Sequence, residues 1–161
     1  MMNKNDFAFF GAIRADELKT VSSMLADDPA LVNIPAPKKP ADTRGMSPLQ
    51  AALCTGWHRD IVWFLLEHGA DVQGTDRYGR GVLMEAVEET GRLCPSRSEE
   101  NGEFYPGRPV TEEMRHDIRR IFRLLIDAGA DRENRSAYSG KTIRQHYEGS
   151  SVWELCGDLF G

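Results

Sequence analysis

Gly45-Met46-Ser47-Pro48-Leu49-Gln50-Ala51-Ala52-Leu53-Cys54-Thr55-Gly56-Trp57-His58-Arg59-Asp60-Ile61-Val62-Trp63-Phe64-Leu65-Leu66-Glu67-His68-Gly69-Ala70-Asp71-Val72-Gln73 is the stretch that decides how this chain folds. Ser47 suits a helix N-cap, and Pro48 suits the first helical position, where no backbone N–H is needed. Gln50, three residues after Ser47, completes the spacing of a capping box. Leu49, Ala52 and Leu53 share one face of this short helix, which Gly56 ends. Ile61, Val62, Leu65 and Leu66 then recur at helical spacing until Gly69 stops a second helix. Each helix is too short to be stable alone, and each has one apolar face. Such a pair has to stack on neighbouring copies of itself.

The stretch resembles the ankyrin repeat, which has a period of about 33 residues and a helix start reading T-P-L-H-x-A. Here that signature stands as Ser47-Pro48-Leu49-Gln50-Ala51-Ala52, with Gln50 in place of the family's His, and the repeat closes on Gly69-Ala70-Asp71-Val72. One extra residue stands between Gly56 and Ile61. Ala12-Ile13-Arg14-Ala15-Asp16-Glu17-Leu18-Lys19-Thr20-Val21, followed by Met24-Leu25, matches the family's opening helix pair. Asp16 replaces the usual Gly and tolerates a left-handed turn better than most residues do. Asp28-Pro29-Ala30-Leu31-Val32-Asn33 takes the place of the later Gly-Ala-Asp-Val turns.

The resemblance implies an all-α solenoid of about four helix-turn-helix repeats, spanning residues 5–33, 45–73, 76–131 and 132–160, the last a degenerate C-terminal cap. The period breaks twice. Val32 and Val72 lie 40 residues apart, which lengthens the finger over Ile34–Arg44, and its three prolines argue against helix. Asp71 and Asp131 lie 60 residues apart, roughly 27 beyond one repeat. This assigns a long insertion in the third repeat to 92–119. Its first half, Cys94–Pro109, reads as a surface loop. Thr111 caps the helix that follows, whose apolar stripe is Met114, Ile118, Ile121, Phe122, Leu125 and Ala128. Gly81-Val82 stands where the family prefers Thr-Pro, so the preceding helix starts poorly capped, runs to about Glu89 and ends at Gly91. Thr142 with Gln145, and Ser151 with Glu154, repeat the capping-box spacing. Leu49, Ala52, Ile61, Leu65, Leu66, Leu83, Ala86, Ile121, Leu125 and Leu155 are expected in the core.

The net charge of −5 argues against wholesale attraction to nucleic acid or anionic lipid. No apolar run reaches spanning length, and Met1–Arg14 lacks a signal-peptide pattern. Three cysteines without C-x-x-C spacing read as free thiols in a reducing cytoplasm. Ser139-Gly140-Lys141-Thr142 mimics the tail of a phosphate-binding loop, but Arg135 stands where that motif needs Gly, and Gly-x-Thr is repeat punctuation. No histidine has zinc-ligand spacing: His58 and His68 lie at helix ends expected to be exposed. No cofactor or metal is expected.

Arg115, Arg119 and Arg123, with Arg120 beside them, line one helix edge. They form either a solvated face or a stripe that binds an anion or an acidic partner. Tyr78 and Tyr138 occupy corresponding turn tips, where each ring either packs on the neighbouring finger or meets a partner. Trp63 stands at a normally polar position, either covering the next repeat's extended helix or free for a partner. The resemblance implies a non-catalytic, monomeric module that binds another protein through its finger and groove face, with Tyr78, Tyr138, Arg77, Arg80 and Arg135 as contacts, joined by Phe104 and Tyr105. A bacterial immunity protein that blocks a cognate toxin is the alternative within binding functions. An enzyme whose site is completed by the 92–119 insertion, through Cys94 or His116, is the rival class.

Overall fold

The computed structural model describes residues 4–37, 45–55, 57–93 and 111–161. Their helices come in pairs: α1 (Lys4–Arg14) with α2 (Leu18–Asp27), α3 (Pro48–Cys54) with α4 (Arg59–Glu67), α5 (Val82–Leu93) with α6 (Glu112–Asp127), and α7 (Ile143–Tyr147) with α8 (Ser151–Cys156). Short 3-10 turns follow α2 at Pro29–Asn33 and α8 at Gly157–Phe160. The first helices of the pairs stack in order, α1 on α3, α3 on α5, α5 on α7. Among the second helices, α2 lies on α4 and α6 on α8. Within the described residues, extended pairing is limited to one antiparallel bridge, Arg135 to Thr142.

This arrangement follows from local signals. Ser47 Oγ accepts from Gln50 N–H at 3.1 Å, and Ser47 N–H donates to Gln50 Oε1 at 3.0 Å, closing the capping box of α3. Thr142 and Gln145 do the same for α7, and Thr111 caps α6 by accepting from Met114 N–H. Each such bond satisfies a donor that the helix cannot pair internally. Asp16 takes the left-handed conformation (φ 58°) that its position between α1 and α2 requires. Helices α4 and α6 end identically. Gly69 (φ 88°) and Gly129 (φ 96°) reverse the chain, a conformation that glycine reaches without a Cβ clash. Ala70 N–H then returns to Leu65 C=O at 2.9 Å, and Ala130 N–H to Leu125 C=O at 3.0 Å.

The core is a row running through the stack. Phe9, Phe10, Ile13 and Val21 fill the first pair, and Leu49, Leu53, Ile61 and Leu65 the second. Leu83, Val87, Ile118, Ile121, Phe122 and Leu125 fill the third, and Ile143, Leu155 and Cys156 the cap. Nine of the ten residues expected in this row are buried. Leu66 is half-buried at its edge, because it sits on the flank of α4 beside Leu65 and turns towards the outer surface. Ala128 is exposed because it is the residue past the end of α6.

Two boundaries, and the exposure of His58, differ from the sequence expectation. Helix α5 continues through Gly91 to Leu93. One glycine in a helix interior costs about 1 kcal/mol, and the Glu89–Arg92 ion pair at 3.3 Å spans that turn. The cap of α8 is Ser150, whose Oγ accepts from Trp153 N–H, leaving Ser151 as the first helical residue. His58 is tucked between the first two pairs, with Nε2 3.1 Å from Arg14 C=O and Nδ1 3.6 Å from Asp16. Residues 38–44 of the lengthened finger and 94–110 of the insertion lie outside the described residues. Where the chain enters and leaves that finger, Ala36 N–H donates to Met46 C=O at 2.7 Å. Helix α6 has 16 residues against 9 in α4, about two turns more.

The arginine edge of α6 is partly absorbed by the fold. Arg119 donates to Asp158 through two nitrogens at 2.7 and 2.8 Å and reaches Leu155 C=O at 3.2 Å. It thereby fastens the terminal 3-10 turn to α6. Arg120 lies over the Trp63 ring, 5.5 Å from its centroid, so Trp63 does meet the extended helix while staying 41% exposed. Arg115 and Arg123 remain on the exposed face.

The Arg119 hydrogen bonds hold the Asp158 carboxyl below its usual range, against a smaller opposing effect of burial. A carboxyl whose folded value is depressed stabilises the fold above its unfolded value of about 3.9, and that contribution is lost as pH falls through the folded value. Asp158 is 63% exposed in its side chain, so the contribution is screened and amounts to about 0–1 kcal/mol. In acid titrations of stability, Asp158→Asn should therefore show a shallower decline than the wild type below about pH 4. Identical slopes would mean that the pair contributes nothing.

Candidate partner-binding face

The second finger is built on Asp76. Its buried carboxylate accepts from Tyr78 N–H at 2.8 Å and Arg80 N–H at 3.1 Å, while Asp76 N–H donates to Arg80 C=O at 3.0 Å. One short side chain thus shapes the whole turn, the usual role of Asp in such loops. The last finger is closed by Ser136 N–H to Lys141 C=O at 3.0 Å and Gly140 N–H to Ser136 C=O at 2.8 Å. Gly140 has φ 66°, so the phosphate-loop look-alike is a turn leading to the Thr142 cap.

The fingers are tied to one another through side-chain amides. Asn134 donates to Gly79 C=O at 2.9 Å and accepts from Gly81 N–H at 3.0 Å. Asn33 bridges Gly69 C=O and Asp71 N–H in the same way, at 3.1 and 2.8 Å. Gln73 Nε2 donates to Gly129 C=O, and Ala137 N–H donates to Tyr78 C=O at 3.2 Å. Gln50, a buried residue of α3, also donates from Nε2 to Arg80 C=O at 2.6 Å. Sequence reasoning identified none of these ties. Asn33 and Asn134 look like ordinary loop asparagines, and only the paired geometry reveals their shared role.

The two tyrosines meet. The rings of Tyr78 and Tyr138 stack with centroids 5.5 Å apart and planes inclined by 28°. Tyr78 is half-buried, while Tyr138 is 81% exposed. Arg135 lies in the same finger and donates to Gly140 C=O at 2.9 Å. Arg77 is exposed, and its side chain runs along Gly45 at the entry to the preceding repeat. Ser139 Oγ and His146 Nε2 lie 2.7 Å apart at the edge.

Arg80 does not belong to this exposed group. Its side chain is only 18% exposed and points at α5, 3.6 Å from Glu85 and in contact with Glu88. Glu85 is 1% exposed. The reason is the Asp76 turn, which directs the chain at Arg80 inward towards the first turns of α5. Phe104 and Tyr105 lie outside the described residues.

Two clefts border the described surface. One of about 270 Å³ is lined by Asp16, Trp57, Arg59, Asp60, Asp117 and Ile121, at the helix-turn edge away from the fingers. Arg59 and Asp117 pair across it at 2.6 Å. A smaller cleft of about 140 Å³ lies between the first fingers, beside Asn33, Asp71 and Thr75. No group of three or more metal-ligating side chains occurs among the described residues. His116 is exposed on α6. Cys94 lies outside the described residues, and Cys156 is buried with its thiol on Val152 C=O at 3.5 Å. No helix among the described residues is long and apolar enough to cross a membrane.

Residues 44–77 match the ankyrin-repeat family model. That segment is an ankyrin repeat. The fold of the chain is similar to the crystal structure of an ankyrin repeat domain from Acinetobacter baumannii AYE, with a TM-score of 0.60 at 21% identity, covering 94% of this chain. The chain spans 61% of the length of that ankyrin domain. No curated protein matches it. The matched segment runs from the entry of α3 to the Asp76 turn.

Proposed function

We propose that this chain is a non-catalytic module that binds another protein through its finger face. The observation that carries the reading is the Tyr78–Tyr138 stack: an aromatic ledge at the tips of two adjoining fingers, with Tyr138 81% exposed. Packing of the repeats does not require an aromatic ring there. Tyrosine gives a large, stiff contact surface at low entropic cost, and residues of this kind carry much of the binding energy at interfaces. Stacking fixes the ledge before any partner arrives, which lowers the ordering cost of association. Arg77 and Arg135 are exposed on the same two fingers, while Arg80 is engaged with Glu85 and Glu88. The Ser136–Lys141 turn holds Tyr138 on a backbone closed by its own hydrogen bonds.

Affinity capture from the native host with the wild-type chain identifies the partner. Tyr78→Ala combined with Tyr138→Ala should then weaken binding by at least about 2 kcal/mol, the threshold of a hot spot, with unchanged helical circular dichroism. Undiminished affinity would remove the finger face from the account. A toxin as the captured partner would specify the immunity-protein form of this reading.

A further inference from the structure

On the last finger the exposed bases Arg132, Arg135 and Lys141 stand against the exposed acids Asp131 and Glu133, and beyond Glu133 only bases follow as far as Tyr147. Asp76 is buried and accepts two backbone N–H groups of its own turn, and Asp131 accepts from Glu133 N–H at 2.9 Å. From Asn134 to Tyr147 the chain carries Arg135, Lys141 and Arg144 and no acid, although the net charge of the protein is −5. Arg144 is engaged, stacked over Trp153 at 5.5 Å and bonded to the terminal Gly161 carbonyl. Arg135 uses one guanidinium nitrogen on Gly140 C=O, which fixes the planar fork on the finger that carries Tyr138, and the side chain is exposed. Lys141 is exposed on the same turn, and Arg77 is exposed on the neighbouring finger.

We infer that this face takes an acidic protein segment, an extended stretch whose carboxylates meet Arg135, Lys141 and Arg77 and whose aromatic or long apolar side chain lies on Tyr138. This rests on the finger-face reading above and adds the chemistry of the partner. The charge complementarity is local. A basic ledge on a body of net negative charge attracts an acidic segment locally, which orients the encounter as well as holding the complex. Arginine held by one of its nitrogens keeps the rest of its fork for bidentate carboxylate recognition. A polyphosphate chain would need a longer basic track, and its remaining length would lie against the negative body.

Selection of randomised 12-residue peptides by phage display on the intact chain tests this. The recovered pool should be rich in Asp and Glu around an aromatic or long apolar residue. A recovered peptide should bind about tenfold or more weakly to Lys141→Glu and to Arg135→Glu, and more weakly in high salt, as expected for rim charges. Arg123→Glu on the exposed side of α6 should leave its affinity unchanged. Lys141→Glu alone suffices if Arg135→Glu disturbs its turn. A neutral or basic pool, no enrichment, full affinity in Lys141→Glu, or tighter binding of a single-stranded DNA oligonucleotide would each overturn the inference. If the captured host partner is lost in the double tyrosine variant but indifferent to Lys141→Glu and Arg135→Glu, the finger face stands and its acid preference falls. If the tyrosine variant keeps the partner, the face itself falls.

Discussion

Phe122→Ala should lower the unfolding free energy by about 3–5 kcal/mol, the range for a fully buried aromatic truncated to alanine. Phe122 has no exposed surface, and its ring lies 5.9 Å from that of Phe160, inclined by 59°. It joins α6 to the terminal cap, where Trp153 also packs on Phe160 at 5.0 Å. In a stacked array each repeat is held mainly by its neighbours. The loss should therefore concentrate at the cap: amides of α7 and α8 should exchange faster, while those of α3 keep their protection. Urea unfolding supplies the total and hydrogen exchange its distribution. A loss below about 1 kcal/mol would contradict the burial, since truncations of this kind rarely cost so little.

Arg80→Met is expected to cost a similar amount, about 3–5 kcal/mol, because it breaks a largely buried ion pair from one side. Glu85 is 1% exposed and 3.6 Å from the Arg80 guanidinium, with Glu88 on the other side. Removing the cation leaves two carboxylates facing each other's field at the start of α5. Replacing Glu85 as well, in Arg80→Met with Glu85→Gln, should recover part of the loss, since a buried polar pair removed together costs less than half a pair left behind. If the single and double variants unfold at the same urea concentration, the pair is not coupled. The backbone of Arg80 also accepts from Gln50 and donates to Asp76. Its substitution therefore changes the charge of this network without cutting the main-chain bonds that shape the finger.

The pairing of helices was legible in the sequence because its causes are local. Ser47 with Gln50 and Thr142 with Gln145 signal their helix starts within four residues, Gly69 signals a stop, and Asp16 signals a left-handed turn. The apolar spacing of Ile61, Val62 and Leu65 fixes the face that meets the next repeat. What stayed hidden depends on partners far away in sequence. Gln50 reaches Arg80 and Asn134 reaches Gly79 and Gly81. These are contacts across dozens of residues that no local pattern encodes. Arg80 looked exposed because it follows a turn tip, and only the bend imposed by Asp76 turns it inward. Ser150 and Ser151 are equivalent as cap chemistry, so backbone geometry alone decides between them. In the binding face, the tips of Tyr78 and Tyr138 were legible from their matching positions before glycines, but their mutual stacking was not, because finger-to-finger distance is a property of the assembled stack.

The most direct test of the binding account uses the two exposed large hydrophobic side chains among the described residues, Tyr138 on the fingers and Trp63 on α4. Hydroxyl-radical footprinting with mass spectrometry reads the oxidation of both in one sample, with and without the captured partner. The account predicts that the partner shields Tyr138 and leaves the oxidation of Trp63 unchanged. Shielding of Trp63 with Tyr138 still fully reactive would contradict it and move the interface to the α4–α6 surface beside Arg120.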